Sequence, residues 1–243
     1  MKRRSFLKIT SISSVAVAGG SVFKAGAANS NVKRKPNVLL ILTDQQHIDT
    51  ISALGSKYIH TPAMDELAGS GTSFKESYCP NPVSSPSRAA IFTGRTPSET
   101  GVYTNGKSIR ETIPNMGEWF KNQAGYETIY AGKWHLPGYT TPNVKGFDVL
   151  ACGWSGPGSL LDSSVSLACE SWLRNKKDDK PFLMVASFIQ PHDICEWLRI
   201  NQTSKGSRFD EIKDELPPLP ENFHFSFEES EMYKKARKNR EPA

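Results

Sequence analysis

The chain has 243 residues, of which 37% are hydrophobic and 23% are charged, so it can build a core as one large or two small domains. Its formal net charge is +5, but residues 1–28 hold five basic and no acidic residues, and the remainder carries 25 of each sign. A neutral remainder gives no support for nucleic-acid binding driven by bulk charge, and no nucleic-acid partner is expected.

The first 28 residues have the organisation of an export signal. Three basic residues (2–4) precede a short apolar run over residues 9–20, and the segment ends in Ala25-Gly26-Ala27. The arginine pair, followed by Phe-Leu-Lys, resembles a bacterial twin-arginine (Tat) signal. An uncleaved membrane anchor is the alternative, but the run is rich in small residues and shorter than the roughly 20 residues that span a bilayer. We expect cleavage after residue 27 or 28, a leader over residues 29–36, and a protein exported to the periplasm or the extracellular space.

The rest of the chain alternates between apolar runs and amphipathic segments. Residues 37–44 form a continuous apolar run that ends in Asp44, which is typical of a strand buried on both faces of a parallel sheet. Thr61 and Pro62 are suited to begin a helix as N-cap and first helical residue. Further predicted elements are a short strand at 72–78, a helix after Ser84, a helix at 115–123 closed by Gly125, a strand at 126–133, a helix at 160–176, a strand at 181–189, an extended proline-rich linker at 217–220 and a charged helix at 228–240. This order predicts an α/β fold with a mainly parallel sheet flanked by helices.

The segment around Ser84 has the features of a helix start that suits an anion. Ser84 or Ser85 can cap the free backbone N–H groups, and Pro86 is tolerated in the first turn. Arg88, four residues after Ser84, can reach back over that turn. A hydroxyl and a guanidinium at a helix N-terminus favour a bound anionic group, although the same residues also describe an ordinary capped helix.

Polar, reactive side chains follow three of the predicted strands. They are Asp44-Gln45, Lys133 with His135, and His192-Asp193. In an extended segment Lys133 and His135 face the same way while Trp134 packs elsewhere. Positive groups, histidines and an acid that can hold a hard cation together suit an anionic ester. Taken singly, each residue is equally well explained as a turn residue, a surface charge or a structural histidine.

Two long motifs resemble the signatures of the sulfatase family, within the alkaline-phosphatase-like superfamily. The first, Cys/Ser-x-Pro-Ser-Arg followed by four residues and Thr-Gly, is complete at residues 84–94. The second, Gly-Tyr-x-Thr, three residues and Gly-Lys-x-His, is complete at residues 125–135. Residues 36–44 match the family's first strand. The resemblance covers roughly residues 36–225, and we expect residues 37–225 to be the amino-terminal part of a catalytic domain, with a charged tail at 226–243.

The resemblance implies a sulfuric ester hydrolase for carbohydrate or aryl sulfates. Ser84 would be oxidised after synthesis to formylglycine, whose hydrate attacks sulfur and regenerates the aldehyde as sulfate leaves. Arg88 would stabilise the formylglycine, Lys133 would bind sulfate, and His135 would contact the hydrate. His192 is similar to the histidine near the leaving-group oxygen. Asp44 would bind a divalent cation, calcium in the first instance, together with the hydrate at position 84.

Two departures from the family pattern qualify this expectation. Many members have Asp-Asp after the first strand, whereas here Gln45 follows Asp44; its amide oxygen can still bind a hard cation, with one less negative charge. Some relatives with that lower charge cleave phosphonate or phosphate esters, which gives an alternative activity. Members are also usually about twice as long and supply further metal ligands later in the chain. We therefore expect an incomplete amino-terminal fragment or truncated product, for which inactivity is the non-enzyme alternative.

Two further expectations concern maturation and the cysteines. Serine-type members are matured by a radical S-adenosylmethionine enzyme, which would act on Ser84 in the cytoplasm before export through a Tat-like route. Four widely spaced cysteines without a CxxC pair favour buried thiols, or one or two disulfides, over a metal site. They are Cys79, Cys152, Cys169 and Cys195.

Overall fold

The computed structural model describes residues 34–137, 144–152, 158–195, 217–218 and 230–238. The chain divides into two compact units at residue 35, and every element described below belongs to the second unit, Pro36–Ala243. The predicted export signal lies outside the described residues.

The described residues form a four-stranded sheet in which all neighbouring strands are parallel. Its strands are β1 (Val38–Asp44), β2 (Glu127–Gly132), β3 (Asp148–Val149) and β4 (Phe182–Pro191), in the spatial order β1-β4-β2-β3. The last of these four strands in the sequence, β4, therefore lies between β1 and β2. Because the strands are parallel, the residues that follow β1, β2 and β4 meet at one edge of the sheet.

The α-helices in the described residues are α1 (Pro62–Ser70), α2 (Ser84–Thr93), α3 (Pro97–Thr100), α4 (Met116–Trp119), α5 (Gly158–Asn175) and α6 (Glu231–Lys238). A π turn, Phe120–Ala124, continues α4 until Gly125 ends it in the left-handed conformation, as predicted. None of the helices in the described residues is both long and apolar enough to cross a membrane.

Apolar side chains cover both faces of the sheet. On one face Tyr130 of β2 and Leu183 of β4 pack with Phe92 of α2. On the other face Met184 of β4 packs with Val165 of α5. Successive side chains of β2 and β4 point to opposite covered faces and are nearly all buried, which is why the sequence shows continuous apolar runs there. The prediction that β1 is buried on both faces is wrong, because Leu39 and Ile41 of this strand are each 49% exposed.

Several local predictions were wrong or incomplete. Residues 72–78 are irregular, not a strand. The N-cap of α2 is Val83, with no side-chain cap, because the chain is already helical at Ser84. Two short elements, α3 and β3, were not predicted. None of the four cysteines, of which two are buried and two exposed, forms a disulfide, so the disulfide alternative is wrong for this structure.

Candidate active site

The predicted strand ends do converge. Asp44 is the last residue of β1, and Lys133 follows β2 directly. The Lys133 ammonium lies 2.8 Å from Asp44 Oδ2. Arg88, which reaches this edge from α2, donates from Nη2 to the same oxygen at 2.9 Å. One carboxylate oxygen is therefore held by two cations from different elements.

This three-residue cluster is well shielded from water. The exposed side-chain fractions are 12% for Asp44, 5% for Arg88 and 11% for Lys133. Burial acts to raise the pKa of Asp44, but the hydrogen bonds and charges of Lys133 and Arg88 outweigh it and hold that pKa below its ordinary value. Asp44 is therefore ionised at neutral pH, and the cluster carries one net positive charge at the sheet edge.

Ser84 and His135 form the second pair of the site. Ser84 Oγ and His135 Nδ1 lie 2.7 Å apart, within hydrogen-bond distance. Ser84 is the first residue of α2, so the positive end of the helix dipole faces its hydroxyl. Burial first, and then the charges of Lys133 and Arg88, lower the pKa of His135, which favours the neutral imidazole.

The buried residue next to Ser84 fixes where this pair sits. Ser85 Oγ donates to the carbonyl oxygen of His135 at 2.7 Å, and its backbone N–H donates to Asn105 Oδ1 at 2.9 Å. Asn105 was not predicted, since it lies in a loop without a recognisable pattern. It supplies an acceptor for a free N–H of the first helical turn.

The backbone at the site departs from extended geometry. His135 has φ 58° and Gln45 has φ 63°, the two non-glycine residues with positive φ in the described chain. Lys133 and His135 do both reach the site while Trp134 is buried against Phe92, at 4.6 Å between ring centroids. The predicted reason, a regular two-residue alternation, is incomplete because the chain turns at His135. Left-handed conformations of this kind are costly and cluster at functional sites.

Gln45 and His192 occupy the margins of the site. Gln45 is exposed, and its Oε1 lies 3.7 Å from Cys195 Sγ. His192 is half-buried in the turn after β4, where its N–H donates to the carbonyl of Ile189 at 3.0 Å. Its neighbour Asp193 accepts hydrogen bonds from the backbone N–H groups of Gly158, at 2.6 Å, and Ser159, at 3.3 Å, and from Gln190 Nε2, at 3.0 Å. That carboxylate joins the His192 turn to the start of α5.

A buried hydroxyl in β4 was also missed by sequence reasoning. Ser187 Oγ donates to the carbonyl oxygen of Lys133 at 2.7 Å and accepts from Arg88 Nη1 at 2.9 Å. Tyr130 donates to the same carbonyl at 2.5 Å. Burial outweighs the opposing charge of Arg88 and raises the pKa of this phenol to about 12. The signal for Ser187 was present, because it is the single hydroxyl within an otherwise apolar run.

The predicted cation ligands fit a hard metal ion in kind. Asp44 offers a carboxylate, Gln45 an amide oxygen and Ser84 a hydroxyl, all oxygen donors of the type calcium binds. Both cations contact Asp44 Oδ2, which leaves Oδ1 as the oxygen for a metal. Calcium takes about six to eight oxygens. Within the described residues no group of three or more His, Cys, Asp or Glu side chains could hold a metal. The three oxygen donors named here would therefore supply only part of a calcium coordination shell.

Comparison with known proteins identifies the family. The Sulfatase family model matches residues 36–230. The chain belongs to the sulfatase family. The Delta 4,5-hexuronate-2-O-sulfatase of Bacteroides thetaiotaomicron is 32% identical over 212 residues, which is 82% of this chain and 42% of that protein.

Solved structures of sulfatase relatives share the fold. A 2-O GAG (glycosaminoglycan) sulfatase superposes with a TM-score of 0.62 at 30% identity, over 78% of this chain and 42% of that one. A protein solved with its substrate, D-glucosamine-2-N,6-O-disulfate, gives a TM-score of 0.60 at 25% identity, over 77% of this chain and 39% of that one. The chain thus spans about two-fifths of the length of these relatives. The predicted α/β sulfatase fold is confirmed.

Proposed function

We propose that this sulfatase-family chain carries the nucleophile and anion-binding half of a sulfuric ester hydrolase that acts on sulfated carbohydrates or aryl sulfates. The observation that carries the proposal is the contact of Ser84 with His135, 2.7 Å apart, next to the buried Asp44, Arg88 and Lys133 cluster. The relatives named above act on sulfated sugars, which supports a carbohydrate sulfate as the substrate.

The chemistry depends on formylglycine at position 84. Its hydrate would supply one hydroxyl to attack sulfur, and His192 would give a proton to the alcohol oxygen as the bond from sulfur to that oxygen breaks. Loss of the proton from the second hydroxyl would break the bond from carbon to the sulfate oxygen and restore the aldehyde, which water would hydrate again. An ordinary serine would instead leave a sulfate ester that water must cleave.

The surrounding residues supply binding, orientation and proton transfer. Lys133 and Arg88 would face the negative charge that develops on the sulfuryl oxygens, where preorganised cations are most effective. His135, with a pKa lowered first by burial, is suited to accept the proton of the hydrate. Asp44 Oδ1, Gln45 and position 84 would hold calcium, which would polarise the hydrate and the sulfate.

Gln45 gives a reason to test a second ester class. An amide in place of a second carboxylate leaves the site with one less negative charge. A phosphonate or phosphate ester carries at least as much charge as a sulfate ester and would meet less repulsion there. The two activities are separated by comparing turnover of 4-nitrophenyl sulfate with that of a 4-nitrophenyl phosphonate monoester.

Modification of Ser84 is tested by mass spectrometry after co-expression with a radical S-adenosylmethionine maturase. Trypsin releases residues 76–88, which contain Ser84, and formylglycine is lighter than serine by two hydrogens. We expect fragment ions to place that loss at position 84 in the wild type and not in Ser84→Ala. A peptide that keeps the full serine mass would refute the modification.

Activity is tested on the same matured protein. We expect sulfate release from 4-nitrophenyl sulfate or glucosamine 6-sulfate, and at least a thousandfold less in Ser84→Ala, since a nucleophile removal commonly costs about that much or more. Matured protein that releases sulfate from neither ester would contradict the hydrolase proposal. We further propose export to the periplasm or extracellular space, which fractionation of the producing cell checks.

A further inference from the structure

Ser187 is a buried hydroxyl at the centre of the site for which sequence reasoning gave no role. It lies within β4, between Ala186 and Phe188, and its exposed fraction is 0%. A hydroxyl in such a position must find partners to offset the loss of water. Its hydroxyl accepts from the predicted catalytic residue Arg88 and donates to the main chain of another, Lys133.

Ser187 holds Lys133 by both of its backbone polar groups. The carbonyl oxygen of Ser187 accepts from the N–H of Lys133 at 2.9 Å, while Ser187 Oγ donates to the carbonyl oxygen of Lys133 at 2.7 Å. This close approach depends on Gly132, which pairs with Ser187 in the sheet register and has φ +92°. A Cβ at Gly132 would lie 2.0 Å from the Ser187 carbonyl oxygen. The backbone at Gly132 and Lys133 therefore packs directly against Ser187.

The same hydroxyl also fixes Arg88. Arg88 Nη1 donates to Ser187 Oγ at 2.9 Å and to the carbonyl of Lys133 at 2.7 Å, while its Nη2 donates to Asp44. Ser187 thus accepts from one predicted catalytic residue and donates to the other with a single oxygen. Alanine has no side-chain donor or acceptor and can make neither hydrogen bond.

We propose that Ser187 is a positioning residue that sets the direction of the Lys133 and Arg88 cations for the sulfuryl group. It is fully buried and acts through the side chain of Arg88 and the main chain of Lys133. With Ser187→Ala, Arg88 Nη1 keeps one acceptor and the Lys133 carbonyl keeps Arg88 and Tyr130, so the fold survives. The variant loses the hydroxyl that links the Arg88 guanidinium to the main chain of Lys133. We expect the two cations to be less well oriented and to bind an anion more weakly.

Thr128→Val is the matched control. Thr128 lies on the neighbouring strand β2, its exposed fraction is also 0%, and its Oγ1 donates to a backbone carbonyl, that of Gly146, at 2.7 Å. Both variants remove a buried hydroxyl that donates to a main-chain oxygen. Only the Ser187 variant removes a contact with the predicted catalytic cations.

The inference rests on the proposed function, and the experiment keeps the two apart. Wild type, Ser187→Ala and Thr128→Val are compared as full chains, first by urea unfolding and then by calorimetric titration with inorganic sulfate at constant ionic strength. We expect similar losses of stability, but a dissociation constant for sulfate that rises about tenfold in Ser187→Ala alone, as loss of a hydrogen bond to a charged group predicts. In matured, active protein the same change should appear in KM and kcat for 4-nitrophenyl sulfate.

Two results would overturn the assignment. One is a sulfate affinity of Ser187→Ala equal to that of the wild type. The other is an equal loss of sulfate affinity in Thr128→Val and Ser187→Ala, which would indicate general destabilisation. If the wild type itself binds no sulfate, the proposed function fails, and amide hydrogen exchange then decides the positioning role. The Lys133 N–H should exchange faster in Ser187→Ala than in wild type or Thr128→Val, and unchanged exchange would refute it.

Discussion

Replacing Asp44 by asparagine tests whether one carboxylate stabilises two buried cations. The substitution keeps the shape of the side chain but removes the charge from the oxygen that contacts Arg88 Nη2 at 2.9 Å and Lys133 Nζ at 2.8 Å. Both cations are then buried side by side without a counter-charge. Breaking a buried ion pair from one side costs about 3–5 kcal/mol. The asparagine oxygen still accepts one hydrogen bond. We therefore expect the free energy of unfolding to fall by about 3 kcal/mol, the low end of that range.

Asp148→Asn is the control for the loss of a carboxylate. Asp148 pairs with Lys121 at 2.9 Å, but these side chains are 66% and 43% exposed. An exposed pair of this kind contributes about 0–1 kcal/mol. Both variants are measured by urea denaturation with a chelator present, so that no cation replaces the lost contacts. A loss in Asp44→Asn no larger than in Asp148→Asn would refute the reasoning.

The pH dependence of the same variant supplies a second check. The pKa of Asp44 is depressed in the folded state, so its contribution to stability is present above the unfolded carboxyl pKa and is lost as the pH falls through the folded value. The difference in the free energy of unfolding between wild type and Asp44→Asn should be largest near neutral pH and should shrink below roughly pH 4. A difference that stays constant down to pH 2 would contradict the ion-pair explanation.

Two further predictions concern backbone space and thiol access. Gly132→Ala should lower the free energy of unfolding by on the order of 3 kcal/mol or more, because its Cβ would meet the Ser187 carbonyl at 2.0 Å. Gly106→Ala, also at positive φ but with nothing within 4 Å, should cost only about 1–2 kcal/mol, and equal losses in urea unfolding would refute the steric argument. With a thiol reagent, the two exposed cysteines should react in the folded protein and the two buried ones only after unfolding. Exposed are Cys79 and Cys195; buried are Cys152 and Cys169. Burial raises the pKa of both buried thiols, for Cys169 to about 11, so early labelling of either one would count against this packing.

The sequence predicted the elements whose pattern is local. Continuous apolar runs indicated β1, β2 and β4. Strands buried on both faces need no polar alternation, which explains β2 and β4 but not β1, whose Leu39 and Ile41 are each 49% exposed. Gly125 marked the end of the helical segment that begins after Asn115, since glycine adopts the left-handed conformation easily. The two-residue strand β3 and the one-turn helix α3 are too short to produce a period, so they were missed.

The sequence also identified the residues of the site but not their contacts. Asp44, Lys133 and His192 could be placed at one sheet edge because parallel strands end together. Ser84 and Arg88 came from a motif, not from periodicity. That both cations share one oxygen of Asp44, and that Ser84 lies against His135, depends on distances between residues up to 89 positions apart in the chain.

Tertiary structure alone decided how Lys133 and Arg88 are held. Ser187 is 54 residues from Lys133 and 99 from Arg88, and only the insertion of β4 between β1 and β2 brings the three together. Residue type fixes what each side chain can donate or accept, so the sequence by itself determined the family, the α/β class and the inventory of reactive groups. Strand order fixes which groups meet, because hydrogen bonds and ion pairs act over about 3 Å and no local pattern records them.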